Sequence, residues 1–198
     1  MNKLLISLLV SLGIAGFAHA EGDAEAGQAK AAVCFGCHGA DGNATTPTFP
    51  KLAAQHENYL VKQLKEFKSG DRPSATMAGF AAGLSEDDMA DLAAFFGSLE
   101  VKLGDTSDAR GQEIYEAGLA DKGVAACGAC HGTQGEGNAL AGFPTLKGQY
   151  ATYVEAQLKA FRDGARANDP NGMMRGVAAN MSDADMKAVA TYVEGMGK

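Results

Sequence analysis

The sequence is poor in aromatic residues, basic residues and cysteine, and each shortage excludes a class of protein. The 198 residues contain no Trp, and aromatic residues make up only 7%. Lys and Arg number 17 against 24 Asp and Glu, which gives a formal charge of −7. This balance argues against nucleic-acid binding, because phosphate contacts need basic side chains. Four Cys are too few for a disulfide-dense toxin, and a hydrophobic fraction of 46% is too high for a disordered chain.

Only one long hydrophobic run is present, and it is short for a membrane span. It covers 14 residues, positions 4–17, after Lys3, whereas a spanning helix needs about 20. The small-x-small sequence at 18–20 then resembles a cleavage site. Residues 1–20 are therefore predicted to be a secretory signal peptide, and no Cys follows the run to carry a lipid.

The rest of the chain matches itself once. Repeated landmarks include a Cys-x-x-Cys-His motif at 34–38 and 127–131 and a Phe-Pro pair at 49–50 and 143–144. The offset between the copies grows from 84 to 97 residues, so the second copy carries small insertions. Two domains are predicted, at 21–103 and 104–198. Further repeated pairs are Gln55 and Gln149, Tyr59 and Tyr153, Gln63 and Gln157, Arg72 and Arg166, and Met77 and Met174.

Each copy has the pattern of helices without a sheet. Asp23 and Asp108 are expected to cap helices that lead toward the cysteines. Ser85 and Ser182 are each followed three residues later by Asp, which resembles a capping box. Apolar residues recur at three- and four-residue spacing, and no strand-like alternation of useful length occurs. The predicted fold class is therefore all-α.

All four cysteines belong to the repeated motif, whose spacing is typical of covalent haem c attachment. Two intervening residues let both sulfurs reach the two vinyl groups of one haem, and the next residue offers an imidazole to the iron. Two covalently bound haem c groups are expected. The predicted attachment residues are Cys34, Cys37, Cys127 and Cys130, and the predicted iron ligands on one side are His38 and His131.

Three other uses of these cysteines are weaker. A thioredoxin-like redox pair needs no following His and would accompany a parallel sheet. A zinc site would have to combine motifs from two separate repeats. A disulfide across two residues closes a very small loop and constrains little. Haem attachment is the favoured interpretation.

The second axial ligand is predicted to be methionine. Once the signal peptide is removed, His56 is the only further histidine, and it is interpreted as a surface residue. Met77 and Met174 occupy matching places before a Gly-x-Ala-Ala sequence, and a thioether is a common haem ligand. Met173 is the competitor of Met174. Two further repeated methionines, Met89 and Met186, fall on apolar helix faces and are predicted to be core residues.

Taken together, these features resemble the cytochrome c4 family, which has two tandem class I cytochrome c domains. The resemblance covers nearly the whole chain after position 20. It implies a periplasmic electron carrier with two helical domains, each wrapped around one haem, and axial pairs of His38 with Met77 and His131 with Met174. It also implies that the two haems face each other across the domain interface.

The resemblance assigns structural roles as well. Pro50 and Pro144 stand where a proline carbonyl accepts the N–H of the iron-binding imidazole. The glycines at 27 and 111 stand where the first and last helices of a domain cross closely. Their partners are expected to be Phe95 or Phe96 in one domain and Tyr192 in the other.

A chain of this kind is expected to be a carrier rather than an enzyme. Its predicted partners are a quinol-oxidising respiratory complex and a terminal oxidase, with no nucleic acid and no small-molecule substrate. The sequence leaves peripheral membrane association open. An alternative is the dihaem subunit of a sulfide-oxidising flavocytochrome. A dihaem peroxidase is disfavoured, because it needs a haem with a displaceable ligand.

Overall fold

The computed structural model describes residues 22–198, and the predicted signal peptide lies outside these residues. Within them, regular structure is helical, and the β-pairing consists of two isolated bridges, Leu119 with Val124 and Asn138 with Phe143. The prediction of an all-α fold is confirmed. Between residues 22 and 198, no helix has both the length and the apolar character to cross a membrane.

The described residues contain two matching sets of five α-helices. Short 3₁₀ turns lie at Ala31–Val33, Ala120–Lys122 and Pro170–Gly172. The first set is α1 (Ala24–Lys30), α2 (Phe35–His38), α3 (Glu57–Ser69), α4 (Ala75–Ala81) and α5 (Glu86–Gly97). The second set is α6 (Ala109–Ala117), α7 (Gly128–His131), α8 (Ala151–Arg162), α9 (Met173–Ala178) and α10 (Asp183–Gly195).

The helix starts follow the predicted capping residues. The Asp23 carboxylate accepts hydrogen bonds from two backbone N–H groups at the start of α1, and Asp108 does so for one at the start of α6. Ser85 and Ser182 form reciprocal capping boxes with the Asp three residues later. These side chains satisfy N–H groups that a helix leaves unpaired in its first turn.

The first and last helices of each domain cross in close contact at a glycine. A Cβ on Gly27 would lie 2.0 Å from the Asp91 carbonyl oxygen and 2.9 Å from the Cβ of Phe95. The second domain repeats the crossing, since a Cβ on Gly111 would lie 2.9 Å from the Cβ of Tyr192. The expected crossings are confirmed, and in the first domain the contact is made by the earlier of the two Phe residues proposed.

Each domain has its own apolar core. The first cluster is built from α3, α5 and Ala31 just after α1, and the second draws on α6, α8, α9 and α10. Met89 and Met186 are 1% and 0% exposed, which confirms them as core residues. The second core also contains Leu119 and Val124, which lie in the segment that lengthens the second copy. That insertion therefore adds core to the second domain.

Candidate haem sites and the domain interface

The two motif histidines are held in the same way. Nδ1 of His38 lies 2.9 Å from the Pro50 carbonyl oxygen, and Nδ1 of His131 lies 2.9 Å from that of Pro144. A carbonyl oxygen can only accept, so in each ring Nδ1 carries the proton and donates it. Nε2 then has a free lone pair, which is the atom that an iron-binding imidazole presents. The expected role of both prolines is confirmed.

The surroundings of these imidazoles keep them neutral. Burial lowers the pKa of His38 and of His131, and the bond to the proline carbonyl opposes this effect only in part. The ring of Phe49 lies 6.3 Å from that of His38 in an edge-on arrangement, and Phe143 lies 6.2 Å from His131. In each domain, the Phe of the Phe-Pro pair packs beside the imidazole that donates its N–H to the carbonyl of the Pro. A neutral, oriented ring is what a metal ligand requires.

The four motif cysteines form no disulfide. Burial raises the pKa of the Cys34 thiol and raises that of Cys127 to about 11. Redox-active cysteines have lowered pKa values, because their chemistry proceeds through the thiolate. These thiols therefore do not fit a thioredoxin-like pair. They do fit thioether attachment, which leaves no ionisable group.

The two candidate methionine ligands lie on corresponding short helices. Met77 belongs to α4 and Met174 to α9, and both side chains are half-buried. Met174 packs against the second core, whereas Met173 is 40% exposed. Only Met174 of that pair thus faces the interior of its domain. The ligand role of Met77 and Met174 stays a prediction.

The donor set in each domain fits a haem c group. Two free thiols precede an imidazole whose Nε2 lone pair is available, and a half-buried thioether lies on a separate helix. Haem iron binds imidazole and thioether donors, and the vinyl groups of the haem form thioether bonds with cysteine sulfurs. No group of three or more His, Cys, Asp or Glu residues that could hold a separate metal ion occurs within residues 22–198.

The domains meet in an interface with approximate two-fold symmetry. The Gln149 side chain accepts from the backbone N–H of Lys51 and donates to its carbonyl, both at 2.9 Å. Gln55 makes the same pair of bonds to the backbone of Thr145, both at 3.0 Å. Because Gln55 matches Gln149 and Lys51 matches Thr145, one contact is the image of the other.

Two buried arginines lie at the centre of this interface. Arg72 and Arg166 are each 8% exposed. Arg72 donates to the Tyr153 hydroxyl of the other domain at 2.8 Å, and Arg166 donates to the Tyr59 hydroxyl at 3.0 Å. Each also donates to the Gln of its own α3 or α8, Gln63 or Gln157, at 2.8 Å. Neutral oxygen acceptors therefore hold both guanidinium groups.

Sequence reasoning did not assign these interface roles, although the signal was visible. The interface side chains described above belong to polar pairs that repeat between the copies and lie outside the haem-attachment motifs. Lys51 and Thr145 contribute backbone groups to these contacts. Polar residues conserved within a duplication are expected where the copies contact each other symmetrically.

His56, predicted to be a surface residue, is half-buried, and its Nε2 has no hydrogen-bond partner in the described part of the chain.

Comparison with known proteins agrees with this construction. The Cytochrome c family model matches residues 24–100 and again residues 109–197. Cytochrome c4 of Pseudomonas aeruginosa is 49% identical over 99% of this chain and all of its own length. The chain belongs to the cytochrome c4 family. The crystal structure of reduced recombinant cytochrome c4 from Pseudomonas stutzeri matches with a TM-score of 0.86 and 45% identity, covering 88% of this chain and 99% of that one.

Family membership settles the cofactor and the general role. The chain is an electron-transfer protein with two covalently bound haem c groups, one in each of two tandem cytochrome c domains. It is also similar to a thiosulfate dehydrogenase electron acceptor of Thiomonas intermedia. That protein is 39% identical over 83% of this chain and 78% of its own length. The Pseudomonas aeruginosa relative is named as a cytochrome and the Thiomonas intermedia relative as an electron acceptor.

Proposed function

We propose that this cytochrome carries single electrons in the periplasm from a quinol-oxidising respiratory complex to a terminal oxidase. The axial pairs in this proposal are His38 with Met77 and His131 with Met174. The observation that carries it is the duplicated geometry of the imidazoles. Both Nδ1 atoms lie 2.9 Å from a proline carbonyl, and both Nε2 atoms are left for iron.

This arrangement favours transfer over catalysis. When bound, each haem c supplies one iron that accepts or releases one electron. His38 with Met77, and His131 with Met174, would hold the two irons, and this donor set would leave no coordination position for a substrate. A neutral thioether favours the reduced iron relative to a second imidazole. The buried imidazoles, fixed by backbone carbonyls, also have little freedom to move between redox states.

A second function is favoured by one comparison. The similarity to a thiosulfate dehydrogenase electron acceptor supports a role as the acceptor for an enzyme that oxidises a sulfur compound. The two candidates use the same haem sites and differ only in the electron donor. The sulfide-oxidising flavocytochrome considered from the sequence belongs to this second group.

The experiment that separates them supplies each donor in turn to the oxidised, purified dihaem protein. Haem absorption is followed after mixing with a quinol-oxidising complex and quinol, or with a thiosulfate dehydrogenase and thiosulfate. Oxygen uptake by a terminal oxidase then reports onward transfer. Rapid reduction by the quinol-oxidising complex with sustained oxygen uptake supports the first proposal. Reduction only in the thiosulfate arm would replace it with the second, and turnover with hydrogen peroxide would contradict both.

A further inference from the structure

The loops that lead to the two proposed methionine ligands differ in length. Arg72 precedes Met77 by five residues, whereas Arg166 precedes Met174 by eight. Both arginines lie in the domain interface, with bonds to tyrosines of the other domain. The three additional residues of the second copy therefore lie between an interface residue and a proposed iron ligand. We call residues 168–175 the strap.

The first part of the strap binds the first domain. The Asn168 side-chain amide donates to the Gln63 side-chain oxygen at 3.0 Å and to the Glu66 carboxylate at 2.6 Å. Nζ of Lys62 donates to the Asn168 carbonyl at 2.8 Å and also pairs with Glu66 at 2.6 Å. All three partners lie on α3, so one residue fastens the strap to that helix at three points.

The next residue binds the helix that carries the methionine. The Asp169 side chain is only 2% exposed. One of its oxygens accepts from the backbone N–H of Arg175 at 2.9 Å, and the other accepts from Nε of Arg175 at 2.8 Å. Arg175 directly follows Met174. A buried, charge-assisted pair of bonds therefore fixes the peptide beside the proposed ligand.

The backbone between these two attachments is also constrained. Asn171 and Gly172 have φ values of 55° and 69°, in the left-handed region. Asn is one of the few non-glycine residues that readily adopt this region, so Asn171 and Gly172 together form a tight left-handed turn between the two attachments. The first domain has a shorter connection, in which the Ser74 hydroxyl caps the start of α4 by accepting from the Met77 N–H at 3.3 Å.

We infer that Asn168 and Asp169 are positioning residues that hold Met174 from the first domain. In this arrangement the docking of the two domains sets how firmly the second domain retains its methionine ligand. Within the described residues, no hydrogen bond joins the corresponding segment of the first domain, 73–77, to the second domain. The inference rests on the proposed role of Met174 as an iron ligand.

The test measures how easily an added ligand displaces each methionine. Imidazole is titrated into the oxidised dihaem protein while the thioether-to-iron absorption is followed. The shifted methionine methyl resonances of the same oxidised protein report each domain separately. Asp169→Asn is expected to raise the imidazole affinity of the second domain roughly tenfold, because a buried charged hydrogen-bond acceptor is lost. Asn168→Ala is expected to raise it severalfold, and the first domain is unchanged in both variants.

Asp163→Asn is the matched control, because that side chain is 61% exposed and its one ion pair among residues 22–198 is with its neighbour Arg162. Its imidazole affinity is expected to equal that of the unaltered protein. If Asp169→Asn does not fold, Asn168→Ala alone decides, since it leaves the buried carboxylate intact. An unchanged second-domain affinity in Asn168→Ala would overturn the link to the first domain.

Met174→Ala separates this inference from the ligand assignment. If that variant keeps the full absorption and both methyl resonances, the proposed ligand is wrong and the inference falls with it. If Met174→Ala loses the second-domain signals while Asn168→Ala and Asp169→Asn bind imidazole as the unaltered protein does, the ligand stands and the positioning role is wrong.

Discussion

Replacing Gly27 by Ala should destabilise the first domain severely. The new Cβ would lie 2.0 Å from the Asp91 carbonyl oxygen and 2.9 Å from the Cβ of Phe95. Both neighbours belong to α5, and one is backbone, so α1 and α5 must separate by more than 1 Å to reach ordinary contact at about 3.5 Å. Overpacking of this kind costs about 3 kcal/mol. For a domain of this size, that loss lowers the unfolding temperature by roughly 10 °C or more.

The assay is thermal unfolding of the dihaem protein, followed by helical circular dichroism and by haem absorption. Gly36→Ala is the matched control, because a Cβ there meets nothing within 4 Å and the second motif already has Ala129 at that place. It should unfold at the temperature of the unaltered protein. If Gly27→Ala did so as well, the close crossing of α1 and α5 would be refuted.

Two further predictions concern the ends of the helices and the interface. Asp185 accepts from Lys122 at 2.6 Å and caps α10, and these bonds hold its pKa at about 2, below the ordinary 3.8. Its contribution of about 2 kcal/mol is therefore complete above pH 4 and lost as the pH falls toward 2. Urea unfolding of Asp185→Asn should show that deficit at pH 7 and little deficit near pH 2, and a deficit independent of pH would contradict it. Gln149→Ala removes both partners of the buried Lys51 backbone, which should cost about 2–4 kcal/mol and loosen the domains in small-angle scattering. The exposed Gln28→Ala should change neither property, and equal behaviour of the two variants would count against the interface.

The haem sites could be predicted from the sequence because their requirements are local. At fixed spacing, two cysteines would reach the vinyl groups of one haem and the following histidine would reach its iron, and a helix turn sets the relative positions of the three residues. The partner carbonyls at Pro50 and Pro144 lie 12 and 13 residues beyond His38 and His131. The role of these two carbonyls was predicted from the family resemblance, because no local rule joins an imidazole to a proline that far along the chain.

The interface could not be predicted in the same way. Gln55 and Gln149 were visible as repeated residues, but their bonds cross 90 and 98 residues of chain. In the sequence, a repeated polar residue on a solvated face cannot be distinguished from one in a symmetric contact between domains. Only the packing of the two domains shows that these amides replace the water that would otherwise satisfy the backbones of the buried Lys51 and the half-buried Thr145.

The insertions show a similar limit. The offset between the two copies grows from 94 to 97 residues, which places three extra residues before Met174. The sequence did not indicate what these residues do. Asn168 and Asp169 are polar residues of a kind common in loops, and loop composition alone predicts exposure. The Asp169 carboxylate is buried because Arg175 lies on the following helix, a relation that depends on the turn at Asn171 and Gly172.

Each domain is proposed to hold its haem iron between one histidine and one methionine. This proposal is tested most directly by the thioether-to-iron absorption of the oxidised protein in Met77→Ala, Met174→Ala and the double variant, with haem content measured in each. We expect two haems per chain throughout, about half of the absorption in each single variant and none in the double variant. Full absorption in the double variant would contradict the proposal.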